Sequence, residues 1–119
     1  MYFEQDHLYH IYNRGNNSQS IFFNRENYLF FLEKIKRHIL PHADILAWCL
    51  MPNHFHLMVY VNHVEVDTHG VTLSPPVSKR TLNQSIAIIL RSYTRAIQKQ
   101  ENNRITFPNA NQSNLFNPD

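Results

Sequence analysis

A chain of 119 residues with 43% hydrophobic content is enough for one compact domain and one core, and too short for two. A net charge of +2 excludes a strongly basic or acidic domain, so any polyanion site must be a local patch. The single cysteine, Cys49, excludes an intrachain disulfide and fits a reducing cytoplasm.

The elements follow in chain order. The opening Met1-Tyr2-Phe3-Glu4-Gln5-Asp6 lacks a basic or apolar region, so no signal peptide is expected. No apolar run has membrane length, so no membrane partner is expected either. Leu8-Tyr9-His10-Ile11-Tyr12 predicts a strand, and Asn13 to Ser18 a turn in which Gly15 takes a positive φ. Asn24 is the expected N-cap of a helix that has Glu26 in its first turn. Tyr28, Phe31, Leu32, Ile35 and Ile39 keep helical spacing, Arg37 and His38 suit the C-terminal dipole, and Pro41 ends the helix.

The apolar run from Asp44 to Leu50 predicts a second strand, in which Cys49 is a buried small hydrophobe. Met51-Pro52-Asn53 is a tight connection to a third strand from His54 to Val61, making a hairpin. Residues 62–80 hold Gly70, Pro75 and Pro76 and predict a loop. Leu82, Ile86, Ile89, Leu90, Tyr93 and Ile97 form the apolar stripe of a second helix, from Leu82 to about Gln100. Arg104 to Phe107 is a candidate edge strand, and 109–119 a poorly ordered tail after a domain spanning 1–108. This order predicts an α+β fold of the ferredoxin-like split βαβ kind: an antiparallel sheet with two helices packed on one face.

Within the third strand, His54-Phe55-His56 carries the chemistry. Two histidines one residue apart on a strand point to the same side, about 7 Å apart, where they can share a divalent ion; Phe55 and Leu57 point to the core. The other histidines, His7, His10, His38, His42, His63 and His69, lack such spacing and are expected at the surface or as caps. Tyr93 has two readings: a core tyrosine whose phenol finds a hydrogen-bond partner, or a nucleophile aimed at a metal-bound phosphate. Hard cations favour oxygen, so a two-histidine site needs a further oxygen donor. Gln98 is the preferred candidate and Gln100 the alternative, against the plain reading of polar residues near a helix end. Arg91 and Arg95 flank Tyr93 off the stripe; with Arg14, Lys79, Arg80 and Lys99 they either follow a phosphodiester backbone or form a solvated face.

Three segments together resemble the HUH single-tyrosine transposases, in the branch associated with REP elements. They are His10-Ile11-Tyr12-Asn13-Arg14-Gly15-Asn16-Asn17 with Ile21-Phe22-Phe23; Trp48 to Val59, which holds the histidine–hydrophobe–histidine motif; and Arg91 to Lys99. The resemblance implies a ferredoxin-like domain acting on single-stranded or hairpin DNA. It implies Mg²⁺ or Mn²⁺ on His54 and His56, completed by Gln98, and Tyr93 as nucleophile. The tyrosine would form a 5′-phosphotyrosine, which a 3′-hydroxyl then reverses in DNA transposition. Arg14, Arg91, Arg95 and Lys99 become the expected DNA contacts, and a homodimer sharing a sheet edge is expected.

Members continue past the tyrosine helix with a small-residue–Leu–Phe segment and a further basic helical region. Asn114-Leu115-Phe116-Asn117 matches this only in part. A second expectation is therefore a DNA-binding remnant without chemistry. A third is an RNA-binding module stacking bases on Tyr9 or Tyr60, which leaves the paired histidines unexplained.

Overall fold

A computed structural model describes residues 2–67, 79–102 and, as backbone, 114–116. The elements are β1 (Leu8–Arg14), α1 (Arg25–Ile39), β2 (Ala43–Met51), β3 (His54–Val61), β4 (Glu65–Asp67), β5 (Lys79–Thr81), α2 (Leu82–Glu101) and β6 (Asn114–Phe116). The result is an α+β chain with an antiparallel four-stranded sheet ordered β2-β3-β1-β6 and a separate β4-β5 ribbon. No helix among the described residues is long and apolar enough to cross a membrane.

Strand parity separates the two sides of the sheet. On β3 the burial alternates strictly, with Phe55, Leu57, Val59 and Val61 buried and His54, His56, Met58 and Tyr60 partly or wholly exposed. The buried set joins Tyr9 and Ile11 of β1, Phe31, Ile35 and Ile39 of α1, and Leu82, Ile86, Leu90, Tyr93 and Ile97 of α2 in one core. Both helices therefore cover one face. The other face carries Leu8, His10, Tyr12 and Arg14 from β1 opposite Tyr60, Met58, His56 and His54 from β3.

The helices end where local chemistry directs. The Asn24 side chain accepts from the Asn27 amide at 3.0 Å, and Pro41 follows the last turn of α1. Thr81 and Gln84 form a reciprocal capping box at the start of α2, and Asn102 closes it in the left-handed region with φ 52°. α1 and α2 are tied by the Asn27 amide donating to Gln100 Oε1 at 3.0 Å.

Several expectations need correction. The segment 62–80 is not wholly loop: it contributes β4 and β5, whose short, half-exposed sequences lack a hydrophobic alternation to announce them. The candidate strand at 104–107 lies outside the described residues, whereas β6, inside the expected tail, pairs with β1 along His10, Ile11 and Tyr12. Gly15 has φ −67°, so positive φ is not its reason; a Cβ there would fall 2.3 Å from the Gln19 carbonyl oxygen. Cys49 is exposed, because β2 is an edge strand and Cys49 lies on its uncovered side, opposite His56. His42 is fully buried rather than a surface residue, held by the His63 carbonyl at 2.8 Å and Ser85 Oγ at 2.9 Å.

Candidate functional site

β3 and β1 lie side by side, so parity brings His54 and His56 together with His10, Tyr12 and Arg14 on the uncovered face. The rings of His54 and His56 are 5.1 Å apart and nearly perpendicular. His10 stacks on His56 at 4.8 Å, and its Nε2 lies 2.7 Å from His56 Nδ1. Tyr12 stacks on His56 at 5.8 Å and 22° and is 5.2 Å from His10, so the three rings form one cluster. A cleft of about 650 Å³ opens here, lined by Tyr12, Asn13, Arg14, Ser18, Asn53, His54 and His56.

The hydrogen bonds set how each ring presents itself. His54 Nδ1 donates to Asn53 Oδ1 at 2.7 Å, which leaves Nε2 as the unprotonated nitrogen of the neutral ring. His56 Nδ1 and His10 Nε2 share a second hydrogen bond, one ring donating and the other accepting. Metal-binding histidines are oriented by this kind of back-side hydrogen bond. Burial holds the His56 imidazole below its usual range, with His10 and His54 adding to the shift, so the ring favours its neutral, ligating form. An ion bound here would have two protein nitrogens, from His54 and His56, and would take its oxygens from substrate or water. Among the described residues, no group of three or more His, Cys, Asp or Glu is placed to hold a metal ion.

The tight β2–β3 connection is fastened to the segment before α1. Gly15 N donates to the Asn53 carbonyl at 3.0 Å, and Ile21 N and Phe22 N donate to the Pro52 carbonyl at 2.8 and 3.1 Å. The small turn residue and the proline carbonyl let the 15–22 segment lie against the hairpin, and Asn53 is held where it meets His54.

Tyr93 is not part of this cleft. It is 0% exposed, packed edge-on against Phe31 at 5.1 Å and beside Phe22 at 5.5 Å. Its hydroxyl donates to the Ile21 carbonyl at 2.5 Å, and burial pushes its pKa well above the usual phenol value. Phe31 packs on Phe55, so Tyr93 is on the helix side and His54 and His56 are on the other. Of the two readings of Tyr93, the geometry matches the core tyrosine whose phenol finds a hydrogen-bond partner, and it sets Tyr93 on the opposite face of the sheet from His54 and His56. Instead the Tyr93 hydroxyl braces Ile21, whose own amide holds Pro52 beside Asn53 and His54.

The remaining site residues divide by face. Gln98 is half-buried on α2, about 140° around the helix from Tyr93, and does not line the histidine cleft. Gln100, the alternative ligand, is engaged with Asn27. Arg91, Arg95 and Lys99 are exposed along the side of α2 away from Tyr93, hence on the helix side of the molecule. Only Arg14 joins the histidines, opposite His54 in the register. His10, Tyr12 and Asn53 were missed. The signal for the first two was present: alternation along Leu8, His10, Tyr12 and Arg14 places them on one face of β1.

No known protein family, curated protein or solved structure matches this chain.

Proposed function

We propose that the uncovered sheet face is an HUH-type site that grips single-stranded or hairpin DNA and cleaves and rejoins it, as in DNA transposition. The observation that carries this is the pair His54 and His56 on one face of β3, with His54 Nδ1 tied back to Asn53 Oδ1 so that its Nε2 is left to bind an ion. Mg²⁺ or Mn²⁺ bound there would polarise the scissile phosphate. His54 and His56 would hold it, Arg14 would bind a neighbouring phosphate, and Asn53 would fix the His54 tautomer. The strand order β2-β3-β1-β6, with a central hairpin between two helices, supports a ferredoxin-like split βαβ fold.

The test uses labelled hairpin-forming single-stranded DNA with Mn²⁺. A covalent protein–DNA adduct on a denaturing gel is expected from the wild type and not from His54→Ala or His56→Ala. An adduct that survives both substitutions would sink the metal assignment. A second reading, a DNA-binding remnant without chemistry, is favoured by the burial of Tyr93. It predicts a complex that is retained on a native gel and leaves no adduct.

The expected homodimer would use β2. This edge strand exposes Leu46 (56%) and Trp48 (59%), apolar residues that a second copy's strand would cover. Sedimentation of wild type against Trp48→Lys checks this; a wild-type monomer at high concentration removes the dimer from the reading. The cytoplasm, where DNA and divalent ions meet in a reducing medium, is the proposed compartment.

A further inference from the structure

Lys79 and Arg80 belong to the separate β4–β5 ribbon, and there they line a second cleft of about 700 Å³. It lies where the end of α1 and the start of α2 meet the ribbon, and among the described residues it shares none with the histidine cleft. We infer that this cleft binds a small phosphate ester, with Arg37 and Arg80 on the phosphate and Ser85, Glu65 and Asp67 accepting hydrogen bonds from hydroxyl groups on the rest of the molecule. The site stands apart from the strand chemistry proposed for the sheet face. Arg37 and His38 are in the last turn of α1 and Arg80 is in β5, so these groups converge only in the folded chain. Among the described residues, no ion pair engages Arg37 or Arg80. Burial, and then the like charges of Arg80, Lys34 and Arg37, hold the His38 imidazole below its usual range, and no carboxylate offsets them. Parity explains why: Val66 and Arg80 pair on one face of the ribbon, while Glu65 and Asp67 are on the other, Asp67 opposite Lys79. The cleft therefore has a cationic end at His38 and an acidic rim.

The floor is preset. Ser85 is 1% exposed, and its Oγ donates to His42 Nε2 at 2.9 Å, because His42 Nδ1 gives its proton to the His63 carbonyl at 2.8 Å. The serine proton is thus turned inward, and Ser85 offers the cleft a lone pair. The chemistry of the two ends selects the ligand. Two guanidinium groups without a carboxylate repel each other, and a dianion between them removes that repulsion. Their planar forks match phosphate oxygens, and a phosphate monoester carries close to two negative charges at neutral pH. The acceptors Ser85, Glu65 and Asp67 call for donors, which hydroxyl groups supply. The volume suits a small molecule. A nucleic-acid strand would have to carry its next phosphates past Glu65 and Asp67, which repel them.

The experiment titrates the full chain by calorimetry with ribose 5-phosphate, inorganic phosphate and a 5′-phosphorylated trinucleotide. Ribose 5-phosphate is expected to bind one site, more tightly than inorganic phosphate. Arg37→Gln and Arg80→Gln should each weaken it about 10-fold or more. Arg95→Gln, which removes an equal charge from the far side of α2, should leave it unchanged. Replacing Glu65 and Asp67 together by Ala should bring the two phosphates to equal affinity, because only the sugar needs the acceptors. Nuclear magnetic resonance on the wild type locates the site without any variant: ribose 5-phosphate should shift the His38 ring and Ser85 amide signals and leave His54 and His56 in place. Binding of neither phosphate overturns the inference, as does an Arg95→Gln loss equal to the other two, which would mean general attraction. Shifts at His54 and His56 in place of His38 also overturn it. A trinucleotide binding the cleft about 10-fold tighter than ribose 5-phosphate would assign the phosphate to a nucleic-acid end and overturn the small-molecule assignment.

Discussion

The two faces of one sheet do different work, and β3 supplies both. Phe55, Leu57, Val59 and Val61 are buried against α1 and α2, while His54, His56, Met58 and Tyr60 alternate with them on the uncovered side. A period of two residues therefore separates the part of the chain that holds the fold from the part that can meet a ligand. The lesson extends to the tyrosines. Tyr93 closes the core against Phe22 and Phe31, while Tyr12 lines the cleft with His54 and His56. Which side of the sheet a residue occupies decides its role more firmly than its chemistry.

The largest effect should come from the covered face. Phe31 is fully buried, with Phe22, Phe55 and Tyr93 around its ring. Phe31→Ala should cost about 3–5 kcal/mol in urea unfolding, a large share of the stability of a domain of this size. Tyr93→Phe leaves the Ile21 carbonyl without its donor and should cost about 1–3 kcal/mol. The corresponding loss on the other face, His54→Ala, should stay within about 0.5 kcal/mol because its ring is half-exposed and closes no core. A His54→Ala variant that unfolds like Tyr93→Phe would erase the division between the faces.

Most of the covered face was legible in the sequence. The helical stripes from Tyr28 to Ile39 and from Leu82 to Ile97, and the alternation from His54 to Val61, place the core residues before any coordinates. The uncovered face was legible only in part. His54 and His56 share a strand, so their common side follows from local geometry. His10 and Tyr12 join them through the β1–β3 register, a pairing between distant parts of the chain that no local period encodes. Tyr93 misled for a related reason. Its place in an apolar stripe predicts burial, and a phenol in a core needs an acceptor, here the Ile21 carbonyl in a segment without regular structure. β4 and β5 were hidden because three-residue strands leave no alternation to read.

A smaller effect separates the histidines by environment. His42 is fully buried, with Nδ1 donating to the His63 carbonyl and Nε2 accepting from Ser85. Burial is the main cause that lowers its pKa below the usual histidine range, with Arg80 and His63 adding repulsion against two backbone hydrogen bonds that oppose the shift. The folded state therefore keeps it neutral while the unfolded chain binds a proton near pH ~6.5. Its contribution to stability is complete above that pH and is lost as pH falls from there through the lower, folded-state value. The unfolding free energy should drop by up to ~1.4 kcal/mol per pH unit in that window. Urea titrations at several pH values measure the slope, and His42→Gln should flatten it. An unchanged slope in that variant would assign the pH dependence to other groups, such as His38, whose pKa burial and the nearby Arg80, Lys34 and Arg37 also lower.

The smallest effect is the sharpest test of which face meets DNA. Arg14 stands opposite His54 and lines the cleft, while Arg91, Arg95 and Lys99 form a row on the far side of α2. A strand lying on the uncovered face meets Arg14 and passes none of the other three. Each phosphate contact adds about 0.7 to the slope of log affinity against log salt for a single strand. Arg14→Ala should lower that slope by about this amount, and Arg95→Ala should leave it unchanged. Affinity at one salt concentration cannot separate the two, because any lost charge weakens the general attraction of the molecule for DNA; the slope counts released ions and so counts contacts. A slope that falls in Arg95→Ala and not in Arg14→Ala would move the DNA to the helix side, and the histidine cleft would then need a different ligand.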